Sequence, residues 1–210
     1  MNSVHGHNRI IIFARPPRPG QCKTRLIPAY GSIGAARIYR GLIRRTVQAA
    51  VESKSAAVEL WISDTPSHPF LGRLASEFGL VQRQQRRGNL GQRMGQAMSD
   101  ALRRGAGSVV LVGTDAVDLE PLDFHTAFEY LKSPDRAVLQ PSLDGGYVLI
   151  GLNHTPAARL NRGIQWSSGL ELDQTRRRLL EGGLQIHLMR PRLDIDLPAD
   201  LRRAKRANLL

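Results

Sequence analysis

Cysteine occurs once in the 210 residues, at Cys22. A single thiol forms no internal disulfide and cannot build a cysteine-rich zinc site. Aromatic residues make up only 5%, and no basic block is interleaved with them, which disfavours a platform for stacking nucleobases. No apolar run approaches the roughly 18 residues of a membrane span. The opening "MNSVHGHNR" lacks the apolar centre of a signal peptide. These absences predict a soluble, cytoplasmic protein. The histidines (His5, His7, His68, His125, His154 and His187) show no H-x-x-x-H metal spacing.

Acidic residues are also few, 18 against 30 basic ones, so the net charge is +12; 26 of the basic residues are arginine. The charge is scattered through short clusters such as Arg44-Arg45, Arg86-Arg87, Arg103-Arg104 and Arg176 to Arg178. Nucleic acid is therefore a disfavoured partner despite the basic balance.

Hydrophobic residues total 41%, which suits one α/β domain over 1–210 with a proper core. Apolar runs at 9–14, 58–63, 80–82, 109–112, 137–140, 147–152 and 186–189 read as strands. Helical spacing fills 31–53, 70–78, 90–104, 122–132, 169–180 and 198–207. This alternation predicts a mostly parallel sheet with helices on both faces.

The first strand runs into "RPPRPGQCKTRL". A Walker A loop needs Gly immediately before its Lys, but Cys22 precedes Lys23, and Pro17 stands where the first Gly would fall. Pro16, Pro17 and Pro19 also remove backbone N–H donors from the stretch that would cradle phosphate. The P-loop is excluded, and so is the G-x-G-x-x-G dinucleotide fingerprint. What remains is an apolar strand followed by four cations, Arg15, Arg18, Lys23 and Arg25. Such a loop is either solvated or faces an anionic ligand.

Ligands of open α/β sheets bind outside the carboxyl ends of the strands. There the chain delivers Asp115 in "VGTD", Asp144 in "PSLDGG", and Asp194 and Asp196 in "DID". One such Asp is usually a cap or turn residue. Several converging on a cationic loop form a plausible Mg²⁺–phosphate site. Asp118 and Glu120 read as preparation for the helix beginning near Pro121, and Trp61 as core. Cys22 lacks an identifiable base and does not read as a nucleophile.

The motifs "FARPPRPGQCKTRL", "GNLGQRM", "LVGTDAVDL", "PSLDGGYVLIGL", "IQWSS" and "DIDLPADL" occur in an order that resembles the DUF2064 proteins. That family lies in the GT-A-like nucleotide-diphospho-sugar transferase superfamily. It is similar to the molybdenum-cofactor and phospholactate nucleotidyltransferases. The resemblance implies a Rossmann-like three-layer α/β/α sandwich of GT-A type, with a mostly parallel mixed sheet containing an antiparallel excursion. It implies nucleotide contacts from Phe13, Ala14, Arg15 and Gly20, and from Leu90, Gly91 and Arg93. Lys23 and Arg25 would face the phosphates. Asp115 and Asp196 would hold Mg²⁺ or Mn²⁺, and Asp115 would also contact the nucleotide. Asp144, Gly145, Gly146 and Trp166 would form the acceptor side, with Asp144 joining Lys23 and Arg25 in catalysis. The chain departs from the pattern at Ala116-Val117, where the family usually has Pro two residues after the metal Asp, and at Leu197, where Thr is common.

The function so implied is a metal-dependent transfer from a sugar nucleotide or an NTP to a small-molecule acceptor. A nucleotide-binding protein of the same fold without turnover is the alternative, and a basic nucleic-acid binder is a third reading.

Overall fold

The computed structural model describes residues 8–64, 68–153 and 163–209. His5, His7, His154 and the first residues of the opening segment lie outside them. Strand order in the seven-stranded sheet is β3-β2-β1-β4-β6-β5-β7. The strands are β1 (Arg9–Ala14), β2 (Ala57–Ile62), β3 (Val81–Gln84), β4 (Val109–Val112), β5 (Arg136–Pro141), β6 (Tyr147–Leu152) and β7 (Gln185–Leu188). β1 pairs in parallel with β2 and β4, and β2 with β3. β6 runs antiparallel to both β4 and β5, while β5 and β7 are parallel. The α/β class and the mixed, mostly parallel sheet are as expected from the sequence.

Alternation along the strands sorts side chains between two cores. Ile10, Ile12, Val110 and Val112 face the layer formed with α1 (Ile27–Glu52), α2 (Pro69–Phe78) and α4 (Pro121–Tyr130). Ile11, Val109, Leu111 and Ile150 face the opposite layer, with α3 (Leu90–Arg103) and α5 (Glu171–Glu181). A smaller cluster of Leu26, Leu42, Ile195 and Leu201 seats α6 (Pro198–Arg206) against α1. These strands are buried on both faces, so they read as near-continuous apolar runs rather than alternating ones.

Two helix starts differ from expectation by two residues or more. α1 begins at Ile27, four residues before the expected Gly31. Pro28 opens its first turn, and Gly31 then breaks the helix with φ 68° and ψ 166°, a region open essentially to glycine alone. α5 begins at Glu171 because Gly169 holds φ 78° just before it. Arg176 and Arg177 are exposed, and Arg178 pairs with Glu181 on the helix surface at 3.0 Å.

The chain leaves β1 toward β2 on one side, and β4 lies on the other, so the strand order reverses beside β1. That reversal opens a crevice at the carboxyl ends of β1 and β4. Because β6 is antiparallel, it contributes its first residues, Tyr147 and Val148, to the same edge. No helix among the described residues is long and apolar enough to cross a membrane.

Candidate active site

A cleft of about 590 Å³ opens at this edge. Its floor is set by a few side chains that lock the strand ends together. Tyr39, buried on α1, accepts the Arg15 backbone N–H through its hydroxyl at 3.1 Å and shares a hydrogen bond with Thr114 Oγ1 at 3.0 Å. Burial, with the Asp115 charge adding to it, pushes the Tyr39 phenol up to about 12. It therefore stays neutral and ties the end of β1 to the end of β4. Gln85, just beyond β3, donates Nε2 to Trp61 O at 2.9 Å and accepts from Arg93 Nη1 at 2.7 Å. Trp61 is buried, as expected.

Arg93 reaches the cleft from the first turn of α3. That turn starts with a capping box: Asn89 Oδ1 accepts from Gln92 N, and Gln92 Oε1 accepts from Asn89 N. Arg93 Nε is buried with no hydrogen-bond partner among the described residues. Burial and the neighbouring Arg15 charge lower its affinity for the proton.

The same cleft holds an ionic cluster. The segment after β7 returns alongside the loop after β4, where Val117 N donates to Leu193 O and Ile195 N to Asp115 O, both at 2.9 Å. These two rungs bring Asp115 and Asp196 to one place. Lys23 Nζ lies 2.7 Å from Asp115 Oδ1, 3.0 Å from Asp196 Oδ1 and 2.5 Å from Ile195 O. Its side chain is 6% exposed, against 52% for Asp115 and 42% for Asp196. Burial alone would lower the ammonium's proton affinity, but the two carboxylates more than reverse that and raise it. Arg25 Nη1 donates to Asp196 Oδ2 at 3.1 Å from an exposed position. Asp200, in α6, accepts from the backbone N–H groups of Asp196 and Leu197 and fixes the turn.

The far wall is the β5–β6 hairpin. Asp144 Oδ1 accepts from Ser142 Oγ and Gly146 N, so it organises its own loop while lining the cleft. Trp166 stands edge-on to Tyr147 with ring centres 6.5 Å apart. Asp194, between these groups, has its carboxyl pushed up to about 6 by burial and by the Asp144 charge.

Phe13, Ala14, Arg15, Leu90, Arg93, Asp144, Gly146 and Trp166 all line the cleft with Lys23, Arg25, Asp115 and Asp196. Gly20, Gly91 and Gly145 do not. Gly20 is on an exposed turn, Gly91 is buried within the first turn of α3, and Gly145 lies against the Gly169 carbonyl. Lys23 and Arg25 line the cleft while paired with carboxylates. Asp118 does more than precede a helix, since it accepts from Leu193 N at 2.9 Å. Cys22 is buried, and that burial pushes its thiol up, which disfavours the thiolate. Sequence reasoning missed Tyr39, Gln85 and Glu171, all on the cleft wall. Tyr39 sits at apolar helical spacing and looked like core, and Gln85 gives no signal beyond its place after a short strand.

The two metal-ligand candidates meet one requirement of a hard cation site: two carboxylate oxygens converge on a single positive centre. No group of three or more His, Cys, Asp or Glu able to share a metal occurs among the described residues. A divalent ion held there would complete its shell with phosphate oxygens and water.

Residues 46–168 match the DUF2064 family, described as an uncharacterized protein conserved in bacteria. No curated protein matches the chain. Among solved structures, a Desulfovibrio desulfuricans G20 protein provisionally assigned as a nucleotide-diphospho-sugar transferase is 26% identical. That match covers 97% of this chain and 88% of that one, with TM-score 0.88. The 4-diphosphocytidyl-2C-methyl-D-erythritol synthase of Anaerococcus prevotii is 10% identical, with TM-score 0.64 over 98% of this chain and 97% of that one. Glucosyl-3-phosphoglycerate synthase of Mycobacterium tuberculosis, solved with Mn²⁺, UDP and glucosyl-3-phosphoglycerate, is 13% identical, with TM-score 0.55 over 96% and 76%. At these identities the last two show the fold alone.

Proposed function

The chain belongs to the DUF2064 family, and on that premise we propose that it is a metal-dependent transferase taking an NTP or a sugar nucleotide as donor. One observation carries this reading. A cleft at the strand-order reversal carries Arg15 and Arg93, and Lys23 and Arg25 line it paired with two convergent carboxylates. The Desulfovibrio structure, provisionally assigned as a nucleotide-diphospho-sugar transferase, supports it.

In this reading Phe13, Leu90 and Met94 give the base an apolar wall, and Arg15 and Arg93 bind polar edges or phosphate. Asp115 and Asp196 would hold Mg²⁺ or Mn²⁺, which would neutralise phosphate charge and stabilise the leaving group. Lys23 and Arg25 add positive charge where negative charge develops. Asp144, Gly146 and Trp166 orient the acceptor on the opposite wall. Glycosyl and nucleotidyl transfer share this cradle and differ only in the atom attacked.

Thermal shift against a panel of NTPs and nucleotide sugars, with and without Mn²⁺, tests the reading. A metal-dependent stabilisation by one donor class is expected, followed by turnover of that donor. Binding without turnover across acceptors would favour a nucleotide-binding protein. Absence of any nucleotide response would overturn the proposal.

A further inference from the structure

The geometry points to Lys23 as a resident cation that keeps divalent metal out of the Asp115–Asp196 pair until donor phosphates draw it away. This rests on reading those two carboxylates as metal ligands.

An ammonium has three N–H donors. Those of Lys23 have three protein acceptors within hydrogen-bond distance: Asp115 Oδ1, Asp196 Oδ1 and Ile195 O. Nothing is left to give to phosphate. Lys23 itself sits at φ 45° and ψ 47°, a left-handed conformation uncommon for a non-glycine residue. That conformation opens the short 3₁₀ turn Thr24–Leu26, from which the side chain enters the cluster.

Charge balance sharpens the point. Asp115 and Asp196 carry two negative charges, and Lys23 and Arg25 return two positive ones. A dication entering this neutral group would sit within a few ångströms of the ammonium and be repelled by it. If Lys23 leaves, the carboxylates are freed for the metal. The ammonium, on a flexible four-carbon stem, then gains phosphate oxygens as acceptors. Metal and donor therefore enter together, and neither binds well alone. Asp144 and Asp194 line the same cleft.

The test is titration with MnCl₂ alone, followed through the electron paramagnetic resonance signal of free Mn²⁺. Wild type, Lys23→Met, Lys23→Gln and the double variant Lys23→Met/Asp115→Asn are compared, with thermal melts to confirm folding. Without nucleotide, both single variants are expected to bind Mn²⁺ at least about tenfold more tightly than wild type, since the competing charge is gone. The double variant is expected to lose that gain. No gain in either folded single variant overturns the exchange. A parallel titration of wild type and Asp115→Asn in the presence of UDP or CTP separates the two ideas. If neither folded Lys23 variant gains affinity and nucleotide still brings Mn²⁺ to wild type but not to Asp115→Asn, the carboxylate site stands without the exchange. If no chain binds Mn²⁺ with or without nucleotide, both readings fall.

Discussion

Arg192 and Asp123 are buried partners 69 residues apart, with the guanidinium Nη2 donating to the carboxylate Oδ1 at 2.8 Å. The same oxygen accepts from Gln140 Nε2 at 2.7 Å. Arg192 also approaches Glu120 at 3.3 Å and Asp118 at 3.7 Å. One side chain thus joins the loop after β4, the start of α4 and the segment after β7. Asp115 and Asp196 lie just along the two joined segments.

Arg192→Met is expected to destabilise the fold by about 3 kcal/mol, because it leaves Asp123 buried and uncompensated. Urea denaturation measures the loss. Arg192→Lys should recover only part of it, since an ammonium cannot reproduce the fork of contacts. A loss under about 0.5 kcal/mol for Arg192→Met would show that the network carries little stability.

Asp115→Asn preserves size and removes charge. It is expected to abolish the Mn²⁺ enhancement of nucleotide binding and to cut turnover by at least about 10²-fold. Metal-free nucleotide binding should change little. Asp144→Asn is expected to spare metal-linked donor binding and to affect acceptor use. Calorimetric titration of each variant, with and without Mn²⁺, distinguishes them. Equal enhancement in wild type, Asp115→Asn and Asp196→Asn would sink the two-carboxylate site.

Glu59 gives a pH-dependent prediction away from the cleft. Burial would raise its carboxyl, but hydrogen bonds from Arg104 and Trp61, with the Arg104 and Arg83 charges, hold it below its ordinary 4.5. Arg104 contributes two of these bonds, at 2.7 and 2.9 Å. A carboxyl lowered in the folded state adds stability above its unfolded value and loses it as pH falls through the folded value. Glu59→Gln should therefore cost about 2 kcal/mol at pH 7, moderated because the guanidiniums reach water. The gap to wild type should narrow below about pH 4.5 in melts run across that range. A gap independent of pH would contradict the ionic account.

Gly145 holds φ 93°, and a Cβ built there would sit 2.2 Å from the Gly169 carbonyl oxygen. Gly20 holds φ 80° with nothing near its missing Cβ. Gly20→Ala should cost about 1 kcal/mol, from backbone strain alone. Gly145→Ala should cost clearly more, and it should displace the Asp144 loop without weakening donor binding. Equal losses for the two variants in thermal melts would show that the loop yields freely.

The strands and helices were legible because deeply buried strands leave long apolar runs and the helices keep their 3.6-residue stripe. The β4–β6–β5 reversal was less so. Tyr147–Leu152 reads as a strand, but nothing in it fixes direction; only the resemblance implied an antiparallel stretch. Lys23, Asp115 and Asp196 were each visible, as a loop cation and two metal-ligand candidates, whereas the direct pairing of the lysine with both carboxylates and with the Ile195 carbonyl was not. Asp115 and Asp196 meet through two rungs between segments about eighty residues apart, and local pattern does not encode such pairing. Tyr39 was hidden for the opposite reason, since a buried hydroxyl at core spacing looks apolar until its partners Arg15 and Thr114 are in place.

The crossing of Leu193 and Ile195 over the loop after β4 also sets an order in time. A chain emerging from the ribosome exposes β1, β2 and β4 long before residues 192–200 exist, because synthesis runs from the amino terminus. Until those residues arrive, Lys23 and Asp115 lack Asp196, the Ile195 carbonyl and the turn fixed by Asp200. The cluster is completed only after all seven strands have been made, so a nascent chain has most of its sheet before this side of the cleft is assembled.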